Sequence, residues 1–297
     1  MNEMEMGGLM GGFYRISEWI MRFSVTNLLW IIFNIPVVFF AFNLLFVESL
    51  EQLVAIMIPI VALAPFVLFP ATAAMFSVVR KWVMGDTDVP LIKSFWKGYK
   101  SNYKQAMFGG LVIVPLWGIF VFDFIFYAME VSSLLRYLFI VLGVLLLAFT
   151  FNFFSMTVHF HMKFWAILKN SALVSIGRPL ISVGMVLVNG LLVYISFTQF
   201  TWLLPFFTGS VAAYVSFLGF YHIYNKAQQI REQEEEKRRA EAERQGLEPQ
   251  DSAADAGLSE AAASDPDESS RTEENRREMI GRHMQQSGHL LLPVRRL

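Results

Sequence analysis

Residues 53–76 read LVAIMIPIVALAPFVLFPATAAMF, a run with no charged side chain. Its length decides the fold. About 20 apolar residues in helical form cross roughly 30 Å of hydrocarbon, and a helix satisfies its own backbone N–H and C=O groups without water. Pro59, Pro65 and Pro70 interrupt the run. In a soluble helix each would cost about 3 kcal/mol, whereas in a membrane bundle neighbouring groups can bond the freed carbonyls. An irregular spanning helix is therefore expected. Broken helices build substrate sites in transporters; a kinked packing helix is the competing account.

Five further stretches qualify on either side of it, near Ser24–Phe46, Ala106–Met129, Leu134–Val158, Leu180–Gln199 and Trp202–Ile223, with a tight turn expected near Thr201–Leu204. Composition agrees. Of 297 residues, 55% are hydrophobic and 16% charged, against about 25% charged in soluble domains, and the mean hydropathy is +0.46. The expected fold class is all-α: a polytopic membrane protein of six transmembrane helices.

Charge sets an orientation. Arg15 and Arg22 precede the first span; Arg80, Lys81, Lys93, Lys97, Lys100 and Lys104 lie between spans two and three; Lys163, Lys169 and Arg178 lie between spans four and five. The intervening connections carry only Arg136. Short loops rich in Lys and Arg stay on the cytoplasmic side, so both termini are expected in the cytoplasm. The expected organisation is a cytoplasmic segment 1–23, a six-helix domain 24–223 with an inner loop 77–105, a charged helical extension 224–245 and a disordered acidic tail 246–297. Residues 225–297 hold 12 Lys/Arg and 16 Asp/Glu and too little apolar surface to order themselves. The chain start lacks a basic n-region and cleavage site, so no cleavable leader is expected, and with no Cys there are no disulfides.

Within the loop, Ile92, Phe95, Trp96, Tyr99 and Tyr103 recur at helical spacing beside Lys93, Lys97, Lys100 and Lys104, and Asp86-Thr87-Asp88-Val89-Pro90 supplies a helix start. This predicts an amphipathic helix along the membrane surface with its lysines toward anionic headgroups; a docking helix for a partner is the alternative. Phe95-Trp96 with Lys100-Ser101-Asn102 is echoed 69 residues later by Phe164-Trp165 with Lys169-Asn170-Ser171. That looks like a parallel duplication of a two-helix unit, with chance similarity as its competitor.

Chemistry is sparse. His159 and His161 stand two apart, and such positions do not share a helix face; a metal site is not expected there. No nucleotide or metalloprotease motif occurs. Asp123 is the acid embedded in an apolar run, a functional candidate by default, although Glu130 nearby places it close to the outer surface. Asn27, Asn34, Asn43, Asn152 and Asn189 read as interhelical glue at about 0.6 kcal/mol per bond. No enzymatic activity, cofactor or nucleic-acid partner is expected, and oligomeric state is not encoded legibly.

Gly11-Gly12-Phe13-Tyr14-Arg15, Glu18-Trp19, Asn27-Leu28-Leu29-Trp30, Phe69-Pro70-Ala71-Thr72-Ala73-Ala74-Met75-Phe76 and Val79-Arg80-Lys81-Trp82 resemble the bacterial YesL-like family, as do Asp88-Val89-Pro90, Phe95-Trp96 and Tyr99-Lys100. Leu168-Lys169-Asn170-Ala172 is a weaker echo. The resemblance covers most of residues 11–222 and leaves out the acidic tail. The family is a domain of unknown function, found mainly in Gram-positive bacteria and often encoded beside sugar ABC transporters. It implies an association with carbohydrate uptake; with no catalytic motif and a helix that could dock a partner, the expectation is a non-enzymatic accessory or regulatory role, with the lipid bilayer and sugar ABC importer subunits as partners. A transport component forming its own solute path is the alternative. The candidate functional or docking residues are Phe69, Pro70 and Thr72, then Arg80, Lys81 and Trp82, then Asp88, Pro90, Phe95, Trp96, Tyr99 and Lys100, with Asp123 apart.

Overall fold

A computed structural model describes residues 3–128 and 133–244. The expected acidic tail 246–297 and Glu130 lie outside the described residues, within which there is no strand. The helices are α1 (Glu3–Phe33), α2 (Ile35–Asn43), α3 (Leu50–Leu63), α4 (Phe69–Val83), α5 (Leu91–Asp123), α6 (Ser133–His159), α7 (Phe164–Gly177), α8 (Pro179–Thr198) and α9 (Gly209–Arg244). Among the described residues six helical stretches are long and apolar enough to span: Gly12–Phe33, Leu50–Val83, Leu91–Tyr127, Leu135–His159, Pro179–Thr198 and Leu204–Glu241. The protein is a multi-pass membrane protein with the expected span count.

Two expectations need correction. The sequence predicts the first span as one helix over Ser24–Phe46, but α1 ends at Phe33 and α2 begins at Ile35. Pro36 has no N–H to continue the ladder and restricts the residue before it. Asn34 leaves helical geometry (φ −106°, ψ 12°), and its Nδ2 donates to the Trp30 carbonyl at 2.8 Å. Likewise, the surface helix expected within the 77–105 loop is no separate element. Leu91–Asp123 is one unbroken helix, about 50 Å long at 1.5 Å per residue. That exceeds the hydrocarbon thickness, so the lysine-bearing end is the end that leaves it.

The second span is irregular as the prolines require. α3 passes through a π-helical turn at Ala64–Leu68 before becoming α4. Similar turns come after α5 at Phe124–Ala128 and before α9 at Leu204–Thr208. α4 closes in a Schellman motif: Gly85 N–H bonds Trp82 O at 3.1 Å and Asp86 N–H bonds Lys81 O at 2.9 Å. Gly85 takes φ +96° there, a conformation free of steric cost only for glycine.

α4 is the centre of the bundle. Ala71, Ala73, Ala74, Val78 and Val79 are wholly buried, and α1, α5 and α6 pack on it. Small side chains let helix backbones approach closely, which is where membrane bundles gain packing energy. α5 also approaches the π-helical turn before α4 closely at Gly110, where a Cβ would stand 2.6 Å from Pro65 Cα. The remaining helix surfaces present Phe39, Leu45, Ile119, Leu187 and Leu191 outward, as lipid contact requires. The chain divides into two units, Met1–Tyr221 and His222–Leu297. In the second, Gln228 Nε2 donates to Tyr224 OH at 2.9 Å, and residues 232–241 are exposed.

Candidate functional site

One end of the bundle gathers most of the candidates. α4 and α6 both terminate there and α5 begins there. Two helix C-termini carry partial negative charge, and Arg80, in the last turn of α4, answers it. Its Nε donates to His159 Nδ1 at 3.4 Å. Lys81 Nζ donates to Ser94 Oγ at 3.0 Å, tying α4 to the first turn of α5. Trp82 is buried against Trp19 and Phe23, with ring centroids 5.8 and 5.4 Å away. Tyr214 closes the same aromatic cluster at 5.9 Å from Trp19. Beside it the buried Arg22 lies 5.3 Å from the Trp19 ring and pairs with Glu18, so its charge is compensated one turn away.

The start of α5 separates residues that the sequence groups together. Pro90 is its N-cap without a side-chain bond. Phe95 is wholly buried, 5.0 Å from Phe33, and Tyr99 packs 4.9 Å from the same ring. Trp96 is 47% exposed, stacks parallel to Tyr99 at 6.1 Å, and carries Lys100 Nζ 4.7 Å from its ring centroid. Asp88 is exposed in the turn before the helix.

A second group explains the helix breaks. Pro70 cannot donate to the Phe66 carbonyl four residues back, and the Tyr103 hydroxyl donates to it instead, at 3.2 Å. Phe69 and Pro70 are otherwise core residues, Phe69 standing 5.1 Å from Phe154. Thr72 Oγ1 accepts from Trp30 Nε1 at 3.0 Å and donates to Leu68 O at 2.7 Å. At the break before α9, Asn27 Nδ2 donates to Leu204 O (3.1 Å) and Pro205 O (2.7 Å), while its Oδ1 accepts from Ser210 N–H at 2.9 Å. Ser210 Oγ also donates to Phe23 O at 2.9 Å. These carbonyls, which in an open site would face a ligand, are held by protein donors.

Asp123 stands apart, half-buried at the far end of α5. Among the described residues no three metal-ligating side chains converge. The sequence reads Asn27 as one glue residue among five, and the structure makes it the principal tie between the first and last spans. Asn152–Ser175 (2.9 Å) and Asn189–Ser216 (3.0 Å) are simpler ties between neighbouring helices. The Glu18–Arg22 pair carries a visible signal, an acid and a base at i,i+4 spacing within a helix.

Comparison with known proteins adds a family. Residues 23–124 match the family described as "Protein of unknown function, DUF624". The chain is 29% identical over 228 residues to "Uncharacterized protein YteU" of Bacillus subtilis (strain 168), covering 76% of this chain and 91% of that protein. It is 28% identical over 206 residues to "Uncharacterized protein YesL" of the same organism, covering 69% and 85%. To "Uncharacterized protein YesV" it is 27% identical over 141 residues, covering 46% and 67%. No solved structure matches.

Proposed function

From the premise that this chain is a YesL-like protein whose residues 23–124 carry the DUF624 domain, we propose a non-enzymatic accessory or regulatory membrane protein that works beside a carbohydrate ABC importer. It resides in the bacterial plasma membrane with both termini in the cytoplasm. The observation that supports an accessory role over a conduit is the bonding of the helix breaks: Tyr103 holds the Phe66 carbonyl, and Asn27 holds those of Leu204 and Pro205. Polar groups so engaged consolidate a bundle. The rim stays open, where the 84–90 turn presents Asp86 and Asp88.

The test is photo-crosslinking from position 84, exposed in the same turn, in native membranes. Importer subunits captured by the native turn and lost in Asp88→Lys support the proposal; capture of no importer subunit refutes it. Asp88 is exposed, so the variant keeps the fold. The orientation is checked with cytoplasm-specific reporters joined after Glu48 and after Asp88: activity at 88 and silence at 48 is expected.

The second reading, a protein that forms its own solute path, is favoured by two π-helical breaks at Pro65 and Pro205. Buried Asn152 Oδ1 and Asn189 Oδ1 also accept no bond among the described residues. Solute flux in liposomes that responds to Pro65→Ala would establish it in place of the accessory role.

A further inference from the structure

The Phe-Trp pairs recur with the same division of labour. In α5 Phe95 is wholly buried and Trp96 47% exposed; in α7 Phe164 is half-buried and Trp165 74% exposed. Each tryptophan has an exposed lysine four residues on, Lys100 and Lys169, the spacing that places two side chains together on a helix face. For the first pair the contact is formed, with the ammonium 4.7 Å from the ring centroid.

We propose that Trp96–Lys100 and Trp165–Lys169 are two binding stations for the phosphate of anionic phospholipids. An ammonium resting on an indole face has that side shielded from water while its remaining N–H groups point outward, and the indole N–H adds a neutral donor. Phosphate oxygens accept from both. Along the helix that carries the first station the charge has one sign: residues 91–122 contain Lys93, Lys97, Lys100 and Lys104 and no Asp or Glu, the acids Asp86 and Asp88 lying in the turn before it.

A lipid fits better than an acidic protein because an exposed apolar surface follows each station along the chain. From Trp96 and Lys100 the exposed face of α5 runs through Lys104 to Phe108 and Leu111. From Trp165 and Lys169 the exposed face of α7 reaches Ile176, and beyond Arg178 the next helix, α8, opens with Leu180, 89% exposed. Residues 105–122 carry no charge at all. The first stripe thus passes from cation and indole to bare hydrocarbon, the polarity profile of a phospholipid from headgroup to acyl chain, and the second does so once past Arg178. An acidic protein surface would leave the apolar half of the stripe unmatched. Interfacial tryptophan and juxtamembrane lysine are the side chains that suit this boundary.

The experiment uses the full chain in nanodiscs of phosphatidylcholine alone or with phosphatidylglycerol, and reads lipid retention by native mass spectrometry together with the unfolding midpoint. The expected result is preferential retention of phosphatidylglycerol. In Lys100→Gln/Lys169→Gln it falls about 25-fold, roughly 5-fold per lysine at low salt, and Lys→Arg at both positions retains it. Both lysines are exposed, and an unchanged midpoint in phosphatidylcholine confirms the fold. Equal retention by the double Gln variant overturns the proposal. So does equal stabilisation by inorganic phosphate without anionic lipid, which marks a free-anion site. Photo-crosslinkers at 96 and 165 that label protein rather than lipid in native membranes assign the stations to a protein partner instead. None of these readouts involves an importer, so the outcome is independent of the docking turn.

Discussion

Gly110→Ala tests the packing on which the bundle depends. The new methyl carbon would lie 2.6 Å from Pro65 Cα, 2.9 Å from Phe69 Cγ and 3.0 Å from Pro65 Cβ. Carbon atoms rest at about 3.5–4.0 Å, so α5 and the π-helical turn must separate by about 1 Å. The obstacle is backbone, held in a turn by its own proline, and cannot rotate away as a side-chain tip would. Overpacking of this kind costs about 1–3 kcal/mol, and the better helix propensity of alanine returns up to about 1 kcal/mol. The net expectation is a loss of about 1–2 kcal/mol, or about 2–8 °C in unfolding midpoint for a bundle of this size. Gly118 has nothing within 4 Å of its would-be Cβ, so Gly118→Ala is expected to be neutral or stabilising. Intrinsic tryptophan fluorescence during thermal unfolding in detergent reads both. A Gly110→Ala protein as stable as the parent, or a Gly118→Ala protein equally weakened, refutes the close approach of α5 to Pro65.

Tyr103→Phe is expected to cost about 1 kcal/mol by leaving the Phe66 carbonyl unbonded. The cost should shrink in a Pro70→Ala background, where residue 70 regains an N–H; a double-mutant cycle with no coupling counts against the bond's compensating role. Asn27→Ala should cost about 1–3 kcal/mol and raise hydrogen exchange at 204–210 specifically. Unchanged exchange there would mean that Asn27 does not hold the break. Phe95→Ala is expected to lose about 3–5 kcal/mol and Trp96→Ala under about 1 kcal/mol, measured as unfolding midpoints; equal losses contradict the burial of one ring and the exposure of the other.

The spans are legible in the sequence because their cause is one-dimensional: an uncharged run such as 53–76 needs only length to declare itself. Pro65 and Pro205 are legible as breaks but not as to what holds them, and Pro59 and Pro115 sit within continuous helices. Nothing local ties Tyr103 to Phe66, 37 residues away, because that pairing is made by the antiparallel docking of α5 on the second span. Asn34 shows the limit at finer scale. Pro36 signals a restriction, yet an apolar run continuing to Phe46 reads as one helix because hydropathy does not register backbone geometry. At the rim, helical spacing groups Ile92, Phe95, Trp96, Tyr99 and Tyr103 as one face. The structure divides them, since which side of an apolar arc is buried depends on where Phe33 arrives from another helix. Arg80, Lys81 and Trp82 stand out by resemblance, and their partners His159, Ser94 and Trp19 emerge only in three dimensions. Asp123 joins no other candidate, since it sits at the opposite end of the same long helix.

The tie from Asn27 to the start of α9 also sets a schedule for biosynthesis. Its carbonyl partner at Leu204 is 177 residues further along the chain. At about 5–20 residues per second, the first span waits roughly 9–35 s after emerging before those partners exist. Throughout that interval a carboxamide destined for a buried position must be hydrated, shielded by the insertion machinery or bonded elsewhere. A nascent chain arrested before residue 204 therefore displays an unfinished first helix, a mark by which membrane quality control can tell a partial product from a complete one.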